Sequence, residues 1–174
     1  KLCYVADGRS PFTKSWITYM AEAGHEVHLI TSYPFDPGPL PLASFNTVPV
    51  AFSQLASVGS TWNPRARDAK PSSLLMRRLR SGPLSRLLLN ARHWIGPLDV
   101  YRHKKRVRRI IAKIQPDLVH AMRIQFEGIL ASQSLKPTDT PLLVSVWGND
   151  FALFARRFPL VGVLAKQTMW RADA

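Results

Sequence analysis

The sequence holds one cysteine, Cys3, and only eleven acids against twenty-four lysines and arginines. A single thiol excludes an internal disulfide framework, which is compatible with a reducing compartment. No uninterrupted apolar run reaches the length of about 18 residues that a membrane span needs. Residues 1–6 are too few for the apolar core of a signal peptide and read as a strand. Metal-ligand spacing is missing as well. His25 and His28 stand three apart at a strand start, where side chains at that spacing point to opposite faces, so no metal is expected. No Ser-His-Asp or Cys-His arrangement can be assembled from the residue order. The glycine spacing of a dinucleotide fingerprint is also absent from the opening strand-turn-helix.

What remains is ordinary in apolar content and unusual in charge. Hydrophobic residues make up 46% of the 174, enough for one well-buried domain. The net charge of +13 asks for an anionic neighbour: nucleic acid, an anionic membrane surface or a phosphorylated substrate. The charge is concentrated. Between Lys70 and Lys113 stand thirteen Lys and Arg residues, with Asp99 the single acid among them. Leucines and Trp94 are interleaved with this run. A basic amphipathic helix with an aromatic residue reads as an element that lies on a membrane. On that reading Arg77, Arg78, Arg80, Arg86, Trp94, Lys104, Lys105 and Arg109 face the membrane. The alternative is that leucines face a sheet while the arginines are solvated.

Along the chain, strands and helices alternate. An apolar run at 2–6 gives way to a polar turn at Asp7-Gly8-Arg9-Ser10. Ser10 and Pro11 then suit the start of a helix whose Trp16, Ile17, Met20 and Ala21 share a face. Gly24 ends it. Residues 26–31 read as the second strand, and 46–52 as a third or edge strand, since Pro49 argues against a central position. Two leucine-rich basic pieces, "SSLLMRRLR" and "PLSRLLLNARHWIG", each look like a short helix. A better one follows over 99–115 and ends at Pro116. The remaining pattern is a strand at 117–122, a helix over about 125–136, a strand at 141–147 and a helical stretch that covers much of 159–171. The later strands are apolar on both faces, which marks a parallel sheet covered by helices on both sides. Ligands bind beyond the carboxyl ends of such strands. Three strand ends carry polar residues: Asp7-Gly8-Arg9, His120-Ala121-Met122-Arg123 and Trp147-Gly148-Asn149-Asp150.

Those three segments, in this order, resemble the N-terminal domain of family 4 glycosyltransferases of the GT-B fold. "ADGRSPFTKSWITYMAEAGHEVHLIT" looks like that family's opening unit, "PDLVHAMRIQFEGILAS" like its middle strand-loop-helix, and "PLLVSVWGNDF" like its "VWGSD"-type strand end. The closing "RADA" is similar to the approach to the crossover into a second domain. The likeness covers about 1–50 and 116–174. It implies a Rossmann-like α/β domain over 1–174, with a basic helical insertion at about 70–113 and the donor-binding domain outside this chain.

The resemblance implies a retaining transfer of a sugar from a nucleotide sugar, a substrate rather than a cofactor, to a glycan or lipid-linked acceptor. Alone, the chain is expected to be inactive, and to sit on the cytoplasmic face of a membrane. Gly8, Arg9 and Ser10 would face the donor diphosphate, through backbone N–H groups and a guanidinium fork. The alternative for that loop is a plain turn whose dihedrals need glycine. His120 and Asp150 are candidates for catalysis, while Arg123, Glu127, Trp147 and Asn149 would hold the acceptor. Asp150 could orient or deprotonate an acceptor hydroxyl, or Asn149 or Asp150 could cap a helix. Relatives often carry a second histidine where this sequence has Met122, which can neither donate a hydrogen bond nor take a proton. Competing with the transferase are a basic nucleic-acid binder and a non-catalytic scaffold.

Overall fold

The computed structural model describes residues 1–51, 53, 83–136 and 140–174, with side chains in the long basic helix from 94 onward. Five parallel strands form one sheet in the order β3-β2-β1-β4-β5. They are β1 (Leu2–Ala6), β2 (Val27–Thr31), β3 (Ser44–Thr47), β4 (Leu118–Ala121) and β5 (Leu142–Val144). The helices are α1 (Pro11–Glu22), α2 (Pro83–Ile114), α3 (Ile129–Ser134) and α4 (Pro159–Arg171). The fold is α/β and Rossmann-like.

Alternation along β1 decides which helix covers which face. Cys3 and Val5 point into a core shared with Val107 and Ile111 of α2, Ile129 and Leu130 of α3, and Leu164 of α4. Tyr4 and Ala6 point the other way, into a smaller core with Ile17, Met20 and Ala21 of α1. Strands buried on both faces have no room for a solvated side chain, which is why they read as continuous apolar runs. Burial pushes the Cys3 thiol up to about 12, so it stays protonated as a core residue.

Several expectations are corrected. β3 is the sheet's edge and occupies Ser44–Thr47, so Pro49 falls beyond it rather than inside. Ser10 stands at the N-cap of α1, but its side chain makes no capping bond. Trp16, expected on the apolar face of α1, is exposed at 44%, while Thr13 and Ile17 are the helix's buried residues. "PLSRLLLNARHWIG" and the 99–115 segment are one helix of 32 residues that runs through Pro97. A proline inside a helix forfeits one hydrogen bond. Here the turns on either side are anchored: Gly96 lies against Ala51, and the Asp99 carboxylate accepts from the Ala51 N–H at 3.0 Å. The helix expected from about 125 starts only at Ile129, behind a wide turn at Ile124–Gly128. "SSLLMRRLR", with Arg77, Arg78 and Arg80, lies outside the described residues, as does the side chain of Arg86.

Candidate functional site

Because all five strands are parallel, their carboxyl ends share one edge. The chain leaves β1 toward β2 and β3, then returns to place β4 on the other side of β1. This reversal opens a crevice between the loops after β1 and β4, where Rossmann-like sheets take their ligands. The three expected segments, 7–10, 120–123 and 147–150, do lie along this rim. They are tied together, and a fourth segment joins them: Ser32 and Tyr33, after β2.

The first tie is Asp7 to Arg9. The Arg9 guanidinium meets both Asp7 carboxylate oxygens, at 3.0 and 2.9 Å, and lies 3.6 Å over the Tyr33 ring. Burial opposes its charge, and the Asp7 partner more than offsets this, so Arg9 is held above its ordinary value. The loop's own N–H groups at 8–10 are bonded within the protein. The Gly8 N–H donates to Thr31 Oγ1 at 3.1 Å, that of Arg9 to Asp7 Oδ1 at 3.0 Å, and that of Ser10 to the Asp7 carbonyl at 3.1 Å. Asp7 likewise occupies the Nε and Nη2 edge of the guanidinium, while Arg9 Nη1 is buried without a hydrogen-bond partner among the described residues. Glycine is required at position 8 for a packing reason, since a Cβ there would come within 2.0 Å of the Phe35 ring.

The second tie runs from β2 to β4. Ser32 Oγ donates to Glu127 Oε1 across 95 residues of sequence. Glu127 was expected to meet an acceptor; it is buried, and burial raises its carboxyl well above the usual range, with nearby Asp7 adding to the rise. Phe126, just before it, holds φ 60 and ψ −60, a backbone conformation that is strained for any residue but glycine. Its ring is packed into the larger core, which keeps it there.

The third tie joins β4 to β5. Asp150 has its side chain 1% exposed. Its carboxylate accepts from Arg123 Nε at 3.1 Å, from the Trp147 N–H at 3.1 Å and from the Ile124 N–H at 3.4 Å. It therefore points into the protein and fastens two loops, rather than reaching out to a hydroxyl. Arg123 is the exposed partner, at 39%, and its guanidinium sits 5.4 Å from the Phe154 ring centre.

His120 faces α1. Its Nε2 lies 2.8 Å from Ser145 Oγ, and its ring contacts Tyr4 and Trp16. Burial pulls its pKa down to about 4, so the imidazole is neutral at physiological pH. Trp147 and Asn149 are exposed on the rim, and Phe12 of α1 meets the Trp147 ring edge-on at 5.2 Å. Phe12, Ser32 and Tyr33 went unnoticed in the sequence. The i, i+4 spacing of Phe12 and Trp16, continued at Tyr19, was the available signal for an exposed aromatic stripe on α1.

Among the described residues no three His, Cys, Asp or Glu stand close enough to hold a metal ion, and no helix is long and apolar enough to cross a membrane. A shallow hollow lined by Gln167, Trp170, Arg171 and Asp173 sits at the amino edge, beside the start of β5, away from the rim.

The sheet order, the crevice at its reversal and the rim of tethered loops define a Rossmann-like substrate-binding domain. Residues 8–174 match the family described as "Glycosyl transferase 4-like domain", and the chain belongs to that family. No curated protein matches the chain. Membership makes glycosyl transfer the general role, with a sugar donor and an acceptor as substrates.

Proposed function

We propose that this domain is the acceptor-holding half of a retaining glycosyltransferase, receiving a sugar from a nucleotide-sugar donor onto a glycan or lipid-linked acceptor. The supporting observation is the tethered rim, which leaves Trp147, Asn149 and Arg123 open above a crevice whose other charged groups are paired or buried. An aromatic face next to amide and guanidinium donors suits a saccharide, which offers C–H faces and hydroxyl edges together. The buried groups, Asp150, Glu127 and His120, then shape the site rather than touch the acceptor. Donor chemistry and donor choice fall to a second domain. The test is a glycan array with lipid-linked members, read on the chain itself and on Trp147→Ala. Saturable binding to a defined saccharide class that weakens at least about tenfold in the variant is expected, in line with the loss of a stacked aromatic. No binding to any member overturns the acceptor role.

We propose further that the basic helix docks the domain on an anionic membrane, a reading supported by its exposed aromatic and basic side chains. Trp94, Ile95, Leu98 and Tyr101 of α2 are exposed, and Arg102, Lys105 and Arg109 on the following turns are exposed too. Lys104 is half-buried, with its ammonium 5.1 Å from the Tyr101 ring centre. Two neighbours serve the fold instead: Arg106 donates to the Thr47 carbonyl and Arg108 to the Ser134 carbonyl. Each free cation near an anionic leaflet contributes about 1 kcal/mol. Lys105→Glu with Arg109→Glu should therefore cut binding to phosphatidylserine-containing vesicles by about tenfold or more, with little effect on pure phosphatidylcholine. Preference for duplex DNA over such vesicles would favour the nucleic-acid reading.

A further inference from the structure

We infer that Arg123 is an anion-binding residue of the rim, recognising a phosphate group, and that the buried Asp150 carboxylate is the positioning residue that aims it. The inference rests on the reading of the rim as the substrate site and adds to it a ligand chemistry and a division of labour.

Two contacts hold the guanidinium and a third holds the turn behind it. Nε is bonded to Asp150 at 3.1 Å, one face lies 5.4 Å from the Phe154 ring centre, and the backbone enters the wide turn through the Ile124 N–H, which Asp150 also holds. What is left is the outer edge. The Nη nitrogens hydrogen-bond to none of the described residues, and the side chain is 39% exposed. Two parallel N–H donors presented on a fixed plane match two oxygens of a phosphate, a geometry that lysine cannot reproduce. Immobilising the side chain before the ligand arrives removes most of the ordering cost of binding.

The surrounding charge has the right sign. Arg9 is neutralised by Asp7, and Glu127 is buried beneath the crevice. Arg156 and Arg157 stand two and three residues after Phe154, exposed and without an acidic partner among the described residues. A phosphate at Arg123 thus meets no exposed, unpaired carboxylate among Asp7, Glu127 and Asp150. The carboxylate that balances Arg123 is turned away at 1% exposure. Phosphate is common to a donor diphosphate and a phosphorylated lipid acceptor, and the geometry at Arg123 serves either.

The test follows the Arg123 Nε–H in arginine-resolved ¹⁵N NMR of the chain while inorganic pyrophosphate is added. A saturable shift of that signal is expected, and Arg123→Gln should lose more than tenfold in affinity with Arg123→Lys failing to restore it. Asp150→Asn, which keeps the shape and one acceptor, should weaken binding about tenfold and broaden the Arg123 Nε–H signal, a change that a purely structural loss would not confine to one guanidinium. If Asp150→Asn does not fold, the Arg123 variants decide alone. Separate titrations with uridine diphosphate and a short-chain polyprenyl phosphate then assign the source, the tighter of the two being the natural one. Pyrophosphate binding that survives Arg123→Gln unchanged overturns the inference, as does a response to methyl glucoside equal to that to pyrophosphate. Phosphate binding at Arg123 with no saccharide bound at Trp147 would overturn the acceptor role and leave this inference standing.

Discussion

Asp150→Ala lowers the unfolding free energy by about 3 kcal/mol, a loss larger than most single substitutions cause. The carboxylate is buried and receives three donors, two of them backbone N–H groups. Removing it leaves the Ile124 and Trp147 N–H groups without a partner, and each unsatisfied buried donor costs roughly 1–3 kcal/mol. Arg123 contributes less to the loss, because at 39% exposure water can replace its partner. For a domain of this size, about 3 kcal/mol corresponds to a fall in melting temperature of roughly 6–12 °C. Asp150→Asn retains one acceptor oxygen and should lose about half as much. Urea denaturation of the three proteins measures this directly. A loss under about 1 kcal/mol for the alanine variant would mean that the β4 and β5 loops are held elsewhere, and the clamp would be withdrawn as the organiser of the rim.

The parts of this architecture that were legible in the sequence are those set by local periodicity. The strands expected at 2–6, 117–122 and 141–147 are found at Leu2–Ala6, Leu118–Ala121 and Leu142–Val144, the last ending three residues early, and α4 lies in the stretch expected to be helical, because pleat and helix repeat act over a few positions. The site is harder to read, since its meaning depends on partners far away in the chain. Ser32 meets Glu127 across 95 residues, Asp99 meets Ala51 across 48, and Arg123 meets Asp150 across 27. An arginine two residues from an aspartate, as in Asp7-Gly8-Arg9, can as easily face a ligand as close on its neighbour. Only the fold shows that the Nε and Nη2 edge of Arg9 closes on Asp7. Asp150 is the same problem reversed: a carboxylate at a strand end can look outward or cap a helix, and the N–H groups of two loops draw it in. Pro97, which the helix runs through, is a related case. Its local cost is real, but tertiary anchoring by Gly96 and Asp99 outweighs it.

Two buried groups make stability depend on pH with opposite signs, and variants separate them. His120 has an ordinary value of 6.5 and is pulled to about 4 in the folded chain by burial. Between those values the unfolded chain binds the proton and the folded chain does not, so stability is complete above about 6.5 and drains away as pH falls toward 4. At about 1.4 kcal/mol for each tenfold change in proton binding, the loss is at most about 3 kcal/mol. Glu127 runs the other way. Its carboxyl is raised by burial, so the folded chain keeps a proton that the unfolded chain gives up above its ordinary carboxylate range. Its contribution is present below that range and is lost as pH rises through the folded value. The two slopes overlap in mildly acidic solution and partly cancel, which flattens the wild-type profile there. His120→Gln, which can still bond Ser145, should abolish the acid-side loss and leave a profile that falls as pH rises. Glu127→Gln, neutral at every pH and able to accept from Ser32, should unmask the histidine and steepen the loss between 6.5 and 4. Differences between variant and wild type, taken from urea midpoints across that range, cancel the exposed carboxylates common to all three proteins. A His120→Gln profile that still loses stability from 6.5 down to 4 as the wild type does would show that the imidazole is not desolvated where it packs beneath α1, and that another group controls the acid limb.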